Sequence, residues 1–383
     1  MKIPDLVPDL VALQAQRLLR RRRVVHGAVR PRVRAGAREM LCFGSNDYLG
    51  LAADPRLIAA ACDGAQELGV GAGASHLICG HNAAHEELEK RLAAFVELPR
   101  ALVFSTGYMA NLGVATALLD RHDAVFADRL NHACLNDAAL LSRATFHRYP
   151  HGDVAALERL LAASPAHRKL VASDAVFSMD GDIARVPELL ALCERFGAWL
   201  LLDDAHGFGV LGRGGRGTPS HFGLRSPNLI HMGTLGKAAG VFGAFVAGDE
   251  TLIDTLVQRA RPYIYTTALP PLIARALLAS VEIIEAETWR RERLAVLIAQ
   301  LQSSLRGGRG RLLPSETPIQ PLVIGQNDAA LVLGAALEDK GIWVPVIRPP
   351  TVPKGTARLR ISLSAAHTES DVAALVDCVN RLQ

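Results

Sequence analysis

The chain has 383 residues, of which 50% are hydrophobic and 21% are charged, and its formal net charge is +4. This composition is typical of a globular enzyme and excludes an intrinsically disordered chain. The one dense basic run, four arginines at 20–23, has no interleaved aromatic residues, which argues against nucleic-acid binding. The length exceeds what one hydrophobic core usually serves, so we expect about two domains.

The N-terminal region lacks the uninterrupted apolar stretch of a secretion signal, because prolines and aspartates interrupt its first ten residues. No charge-free stretch of membrane-spanning length follows it. Six cysteines are scattered without a C-x-x-C pair, which indicates thiols in a reducing compartment. We therefore expect a cytoplasmic protein with neither a membrane nor a nucleic acid as partner.

The first forty residues are expected to form an N-terminal arm. Residues 9–23 have an amphipathic pattern that predicts a helix ending in the four arginines, and 40–43 predict a short strand. Strand-like apolar runs then alternate with helical stretches, at 101–104, 124–127, 170–173, 199–203, 229–232 and 244–247. This alternation predicts a large α/β domain over 41–270, with a mostly parallel central sheet and helices on both faces.

The rest of the chain, residues 271–383, predicts a smaller α+β domain. A long helical pattern runs from Pro270 to about residue 306, strands are expected at 320–324, 343–346 and 358–363, and a last helix ends the chain. No repeat and no low-complexity linker separates the two parts.

The strongest local signal is the segment Thr234-Leu-Gly-Lys237, which follows a predicted buried strand and is flanked by small residues. An apolar environment disfavours the charged form of lysine, which lowers the pKa of its amine and allows it to form a Schiff base. A solvated loop lysine is the alternative, and Lys237 alone does not decide between the two.

The segment that ends in Asp203-Asp-Ala-His206 favours a Schiff-base lysine over a solvated loop lysine. It delivers an acid at the carboxyl end of a predicted strand, where folds of this class bind ligands. An aspartate beside a pyridine nitrogen keeps that nitrogen protonated, which makes the ring an electron sink. The alternative role for Asp203 is that of a helix N-cap.

Three further segments follow predicted strands. Ser105-Thr-Gly107-Tyr108 begins a helix, so its backbone amides could hold a phosphate. His132 could stack on a cofactor ring, and Ser178 could reach one of its oxygens.

Two other patterns in the sequence lack the residues that a cofactor or metal site would need. Gly69-Val-Gly71-Ala-Gly73 resembles a dinucleotide fingerprint, but no strong strand precedes it. His81 and His85 lie one helical turn apart but lack a convincing third ligand. We therefore expect a surface-facing histidine pair there, with neither a dinucleotide nor a metal.

Together these segments resemble the α-oxoamine synthase family of fold-type I pyridoxal-phosphate enzymes over nearly the whole chain. The motifs that carry the resemblance are Asn46-Asp-Tyr-Leu-Gly50, Ser105-Thr-Gly-Tyr108, Phe177-Ser-Met-Asp-Gly181, Asp203-Asp-Ala-His-Gly207 and Ile347-Arg-Pro-Pro-Thr-Val-Pro353. The resemblance implies a fold-type I transferase that binds pyridoxal 5'-phosphate, condenses an amino acid with an acyl thioester and releases CO2.

The resemblance also implies roles for individual residues. Lys237 would bond covalently to the cofactor, and Asp203 would pair with its pyridine nitrogen. The other expected cofactor contacts are His132, Ser178, His206, Gly107, Tyr108, Thr234 and, from the second subunit of a homodimer, Thr266 and Thr267. The expected substrate contacts are His132, Arg348 for the amino-acid carboxylate, and Arg21 and Thr351 for the acyl group.

Within the family, the segment around Arg348 favours the members that join L-alanine to a pimeloyl thioester in biotin synthesis. Members that use glycine and a short acyl-CoA share the lysine, acid and histidine motifs, so they remain an alternative. A silent pyridoxal-phosphate-binding partner or a regulator is a non-enzyme alternative. The sequence leaves open whether coenzyme A or a carrier protein delivers the acyl group.

Overall fold

The computed structural model describes residues 5–20, 22–306, 308 and 310–382. Arg21, one of the expected substrate contacts, lies outside the described residues. Among the helices of the described part, none is long and apolar enough to cross a membrane.

The strands are short and follow one another throughout the chain. In chain order they are β1 (Val25–His26), β2 (Arg32–Ala35), β3 (Arg38–Cys42), β4 (Arg100–Phe104), β5 (Ala124–Asp128), β6 (Thr145–Tyr149), β7 (Lys169–Asp174), β8 (Trp199–Asp203), β9 (Leu229–Thr234), β10 (Ala244–Gly248), β11 (Arg311–Leu312), β12 (Ile319–Gly325), β13 (Ile342–Trp343), β14 (Val346–Ile347) and β15 (Ala357–Ser362).

Helices connect most of these strands. They are α1 (Val7–Ala15), α2 (Pro55–Leu68), α3 (Ala83–Val96), α4 (Gly107–Leu118), α5 (Ala133–Ser142), α6 (Val154–Ala163), α7 (Val186–Phe196), α8 (Thr218–His221), α9 (Glu250–Arg259), α10 (Arg261–Ile264), α11 (Pro271–Ala286), α12 (Trp289–Ser304), α13 (Asn327–Asp339) and α14 (Glu369–Leu382). A π-helical turn, His76–Gly80, precedes α3.

The central sheet confirms the predicted α/β architecture. Within the described residues it has seven strands in the order β4-β10-β9-β8-β7-β5-β6, and β10 is antiparallel to both of its neighbours. The strands from β9 to β6 are parallel to one another. All six strands predicted in this region exist. The sheet has one additional strand, β6, which was not predicted because its mixed, partly exposed sequence has no continuous apolar run.

Both faces of this sheet are buried, which explains its nearly continuous apolar strands. Leu201 and Ile230 pack with α4, α5 and α9 on one face, whereas Leu200 and Leu202 pack with α6 and α7 on the other. Each strand thereby alternates between two helical layers. The carboxyl ends of the parallel strands consequently meet at one edge of the sheet, where their loops can carry chemistry.

Two smaller sheets involve the chain ends. One has the order β11-β12-β15-β14, and the other joins β1, β2 and β3 to β13. Because β3 pairs in parallel with β13, the segment after the arm contacts the C-terminal part of the chain. The loop after β3 contributes Phe43, whose carbonyl accepts a hydrogen bond from the Ser362 amide at 2.8 Å.

Four sequence predictions are wrong in detail. The first helix ends at Ala15, so the arginines at 20, 22 and 23 lie outside it. The long helix after Pro270 is interrupted at Glu287 and Thr288, where α11 ends and α12 begins. The strand expected at 343–346 is two short strands, β13 and β14. His85 is fully buried, not surface-facing, because its ring nitrogens bond backbone groups at the start of α3 and near Leu269.

Candidate active site

The predicted lysine, acid and histidine come together at the carboxyl edge of the central sheet. Asp203 ends β8, and Lys237 follows the end of the adjacent strand β9. Lys237 Nζ lies 3.1 Å from His206 Nε2, in the loop after β8. Three residues separated by up to 34 positions are therefore neighbours because parallel strands end at the same edge.

The surroundings of Lys237 make its amine less basic than usual. Burial lowers the pKa of this amine from its ordinary value, and the carboxylates of Asp203 and Asp174 oppose the shift only in part. Lowering the pKa increases the fraction of amine that has a free electron pair at neutral pH.

Asp203 is 4% exposed and is held by neutral donors. Its Oδ2 accepts a hydrogen bond from Asn111 Nδ2 at 2.7 Å, and its Oδ1 accepts one from the Ala205 amide at 3.0 Å. Because neither donor carries a charge, the carboxylate can still pair with a cation. Asp174, at the end of the neighbouring strand β7, is buried beside Asp203. Burial together with the charge of Asp203 raises the pKa of Asp174 well above its ordinary value.

A hydrogen-bonded chain fixes His206. Tyr48 Oη lies 2.7 Å from His206 Nδ1, and the same hydroxyl donates to Asn46 Oδ1 at 3.2 Å. Burial and the nearby charge of Lys237 lower the pKa of His206 well below its ordinary value. The imidazole is therefore neutral, with one nitrogen toward the lysine and the other toward the tyrosine.

The start of α4 forms a cradle beside this edge. Thr106 caps the helix through a hydrogen bond from the Met109 amide to its Oγ1 at 3.2 Å. A Cβ on Gly107 would come within 2.7 Å of Thr234 Cγ2, so only glycine leaves the space open. The amides of Gly107 and Tyr108 are in the first turn, where a helix binds anions. The Tyr108 hydroxyl contacts Asp137.

His132 and Ser178 lie on neighbouring loops. His132 is the N-cap of α5, and its backbone amide donates to Asp174 Oδ2 at 2.6 Å, which anchors the loop. Desolvation lowers the pKa of the His132 imidazole, although the Asp203 charge opposes this. The Ser178 carbonyl accepts a hydrogen bond from Arg360 Nε at 2.5 Å.

The expected substrate residues are held less firmly. Arg348 is half-buried, and its guanidinium donates to the Arg17 carbonyl of the N-terminal arm. Its Nε atom is buried without a hydrogen-bond partner. Thr351 is exposed, and its amide donates to the Arg348 carbonyl at 3.1 Å.

Thr266 and Thr267 lie between α10 and α11. Thr266 is half-buried and Thr267 is exposed. The following residue, Ala268, donates its amide to the Ala74 carbonyl at 3.0 Å, which ties this segment to the turn before α3.

Arg360 on β15 was not predicted from the sequence, and it is only 6% exposed. Besides Ser178, its guanidinium contacts Asn46 Oδ1 at 3.1 Å and Ser362 Oγ at 2.9 Å, all neutral acceptors. Its charge contributes to the lowered pKa of both Lys237 and His206. An arginine inside a predicted strand was the available signal, because a charge there needs a reason to be buried.

Asn111 was also missed as a functional residue. It is fully buried on α4, and its Oδ1 atom has no hydrogen-bond partner. Asp174 was missed as well, although it ends β7 directly beside Asp203 on β8. An acid at the end of each of two adjacent strands is a pattern that the sequence contains.

Comparison with known proteins shows the family of this chain. The family model "Aminotransferase class I and II" matches residues 38–379. An 8-amino-7-oxononanoate synthase from Nitrosospira multiformis is 64% identical over 358 residues, which cover 94% of this chain and 90% of the relative. A solved 8-amino-7-oxononanoate synthase from Francisella tularensis is 32% identical with a TM-score of 0.78, and the match covers 89% of this chain and 97% of that one.

A serine palmitoyltransferase from S. paucimobilis, solved with bound pyridoxal phosphate and myriocin, has a TM-score of 0.92 at 30% identity. That match covers 98% of this chain and 96% of the other. The fold and the site thus define a fold-type I pyridoxal-phosphate enzyme. The chain belongs to the class I and II aminotransferase family and, within it, to the 8-amino-7-oxononanoate synthases.

The residues present fit pyridoxal phosphate. Asp203 offers a buried carboxylate without a cationic hydrogen-bond donor, as a protonated pyridine nitrogen requires. The unpartnered Asn111 Oδ1 and the open space at Gly107 lie on the same helix. Lys237 supplies an amine of lowered pKa at the other side of the site.

Proposed function

We propose that this enzyme condenses L-alanine with a pimeloyl thioester and produces 8-amino-7-oxononanoate, CO2 and the free thiol, a step of biotin synthesis. The observation that carries the proposal is the Lys237 amine beside His206 and near the buried Asp203 carboxylate, on a chain 64% identical to a synthase of that name. The identity to serine palmitoyltransferase is much lower, 30%, which favours alanine over other amino acids.

Lys237 is the residue that would bond to the cofactor, with Asp203 at its pyridine nitrogen and His132 against its ring. The amides of Gly107 and Tyr108 with the Thr234 hydroxyl would hold its phosphate, and Ser178 with His206 would reach its phenolic oxygen. When bound, the cofactor accepts the electron pairs released by loss of the α-proton and of CO2. The fit of the open cradle at Gly107 supports this assignment.

Proton transfer belongs to Lys237 in this mechanism. The Lys237 amine would take the α-proton of alanine, because its lowered pKa increases the fraction that is unprotonated. His206 stays neutral and holds the amine at 3.1 Å, and Tyr48 prevents the imidazole from turning. The same amine can return a proton to the α-carbon after CO2 leaves.

His132 is proposed to act at the thioester carbonyl. Its imidazole is exposed at the site, while its backbone amide is fixed to Asp174. A neutral ring with an N–H group can donate a hydrogen bond to oxygen as negative charge develops there. The carbonyl carbon then accepts the alanine α-carbon, and the C–S bond breaks to release the thiolate, which takes up a proton.

Arg360 is the best-supported anchor for the alanine carboxylate. The resemblance assigned that role to Arg348, which contacts the arm. Arg360 is buried, its hydrogen-bond partners are neutral, and its charge helps to lower the pKa of Lys237. A substrate carboxylate bound to Arg360 would supply the negative charge that these partners lack. Arg348 and Thr351 would then face the acyl substrate, together with Arg21.

A homodimer is proposed from exposed apolar groups near Thr266 and Thr267. Tyr265 is 71% exposed. Val70 and Ile78, on either side of Ala74, whose carbonyl accepts a hydrogen bond from the Ala268 amide, are 77% and 78% exposed. Apolar groups exposed in this way mark an association surface. On a partner subunit, the two threonine hydroxyls could reach the cofactor phosphate.

All six cysteines are free thiols, which supports a cytoplasmic enzyme.

The decisive experiment measures product with purified enzyme and a panel of substrates. L-alanine, glycine and L-serine are each combined with pimeloyl-CoA, pimeloyl carrier protein and acetyl-CoA, and 8-amino-7-oxononanoate is detected by mass spectrometry. We expect turnover with L-alanine and at least one pimeloyl thioester. Faster turnover with glycine and acetyl-CoA would refute the proposed substrates.

The lysine assignment has its own test. Borohydride reduction of the enzyme with bound cofactor is expected to bleach the visible band and add the cofactor's mass to the peptide that contains Lys237. A label on another lysine would refute the assignment.

A further inference from the structure

Three histidines meet away from the candidate active site, around the turn that precedes α3. His76 begins the π-helical turn, His81 follows that turn, and His85 lies in the first turn of α3. His76 Nδ1 is 2.8 Å from His81 Nδ1, and ligand atoms of all three rings lie within 4.8 Å of one another. Sequence spacing indicated His81 and His85 alone, because the bend that adds His76 is a tertiary feature.

Two of these rings, His76 and His85, are buried, with exposed fractions of 8% and 0%. Burial and the neighbouring imidazoles lower the pKa of His76 to about 3. Burial also lowers the pKa of His85, against a hydrogen bond to the Leu269 carbonyl. A neutral imidazole keeps the electron pair that a metal ion needs.

The outer nitrogens of two rings already have partners of the kind that orient metal ligands. His81 Nε2 lies 3.4 Å from Glu86 Oε2, and His85 Nε2 lies 2.6 Å from the Leu269 carbonyl oxygen. Such partners hold the proton on Nε2 and leave Nδ1 with its electron pair. Both Nδ1 atoms are therefore the candidate ligand atoms.

We propose that His76, His81 and His85 bind one divalent transition-metal ion of the kind imidazole prefers, such as Zn²⁺, Co²⁺ or Ni²⁺. The short contact between His76 Nδ1 and His81 Nδ1 contains one shared proton. The ion replaces this proton, which is released to solvent or moves to His76 Nε2. His85 Nδ1 accepts a hydrogen bond from the Asn82 amide at 2.9 Å, and the ion takes the place of that donor. Water completes the coordination.

The ion would brace the segment that carries Thr266 and Thr267. The His76 ring stacks on Tyr263 with centroids 4.7 Å apart and planes 9° apart, and His85 holds the Leu269 carbonyl. These contacts lie on either side of the two threonines. The site is thus a structural brace in this proposal, and it does not depend on the identity of the substrates.

The test uses the holoenzyme after dialysis against a chelator. Co²⁺ is titrated and its visible absorption bands are followed as a difference spectrum, and Zn²⁺ is titrated by calorimetry. We expect one ion per chain. The His81→Gln variant should bind each ion at least about tenfold more weakly, since it removes one ligand. His81 suits this test because its side chain is 29% exposed, so the variant should fold.

A matched control is His122→Gln, which removes an exposed histidine whose ring accepts a hydrogen bond from Arg121 Nε at 3.1 Å. Its affinity should equal that of the original enzyme. Glu86→Gln, which weakens the partner of His81, should reduce affinity less than His81→Gln does. The proposal would be overturned if the enzyme did not bind one ion per chain. It would also be overturned if the His81 and His122 variants had equal affinity, because the bound ion would then lie elsewhere, for example on the cofactor.

Discussion

The cofactor side and the substrate side of the candidate site are built differently. Asp203 is 4% exposed and belongs to the central sheet, where neighbouring strands on both sides fix its position. Thr351 is exposed and Arg348 contacts the N-terminal arm, so both depend on segments from the chain ends. We infer that the sheet fixes the chemistry common to the family, whereas the chain ends determine which acyl group is accepted.

The largest expected effect is on the cofactor side. Asp203→Asn should reduce kcat by about 100- to 1000-fold, the usual cost of removing one preorganised electrostatic group. The amide cannot keep the pyridine nitrogen protonated, although it is close in size to the carboxylate. Steady-state kinetics and a thermal melt measure the two properties separately.

The adjacent Asp204 is a matched control for that variant. Its carboxylate bonds His231 Nε2 at 2.9 Å and the Thr218 hydroxyl at 2.5 Å, away from Lys237. Asp204→Asn should lower the melting temperature more and kcat less than Asp203→Asn. A larger loss of kcat in Asp204→Asn than in Asp203→Asn would mean that Asp204, not Asp203, is the acid that acts on the cofactor.

A smaller effect is expected where the two sides meet, at Arg360. Arg360→Lys keeps the charge but loses the planar fork, so the dissociation constant for alanine should rise about tenfold. Arg348→Lys should change this constant less and the KM for the pimeloyl thioester more. Spectroscopic titration with alanine decides the question, and a larger effect of Arg348→Lys would return the carboxylate to that residue.

A change of only a few fold is expected at Thr351. Thr351→Val removes a hydroxyl but keeps the branched shape, at a cost of about 1 kcal/mol for one lost hydrogen bond. The KM for the pimeloyl thioester should rise while alanine binding stays constant. An effect on alanine alone would contradict the division between the two sides.

The smallest effect on activity is expected at His151, which lies beyond the end of β6, at the sheet edge but away from Lys237. Hydrogen bonds with Asp128 and Asp182 raise the pKa of His151 to about 10. The folded-state pKa is above the unfolded one, so this stabilisation is complete below about pH 6.5 and disappears as pH rises through about 10. His151→Gln should reduce the unfolding free energy by about 1–2 kcal/mol near pH 6, where the two carboxylates are ionised.

Denaturant unfolding at several pH values checks this prediction. The difference between the original protein and the His151 variant should shrink steadily toward pH 10, while kcat at neutral pH remains within about twofold. A difference that grows with pH would contradict the assigned sign.

The sequence by itself determined the class of fold and pointed to the acid and the lysine that meet at the carboxyl edge of the central sheet. Buried parallel strands have continuous apolar runs, and Asp203 and Lys237 follow such runs directly, so local patterns were sufficient. The strand β6 was not predicted because its partly exposed, mixed sequence lacks that apolar pattern.

Only the tertiary structure decided which distant residues share a site. Arg360 reaches Ser178 across 182 positions, and His76 meets His85 because a π-helical turn folds one toward the other. Neither contact leaves a periodic signal in the chain. The physical reason is that a buried charge or ring is positioned by packing between elements, which hydrophobic periodicity within one element does not encode.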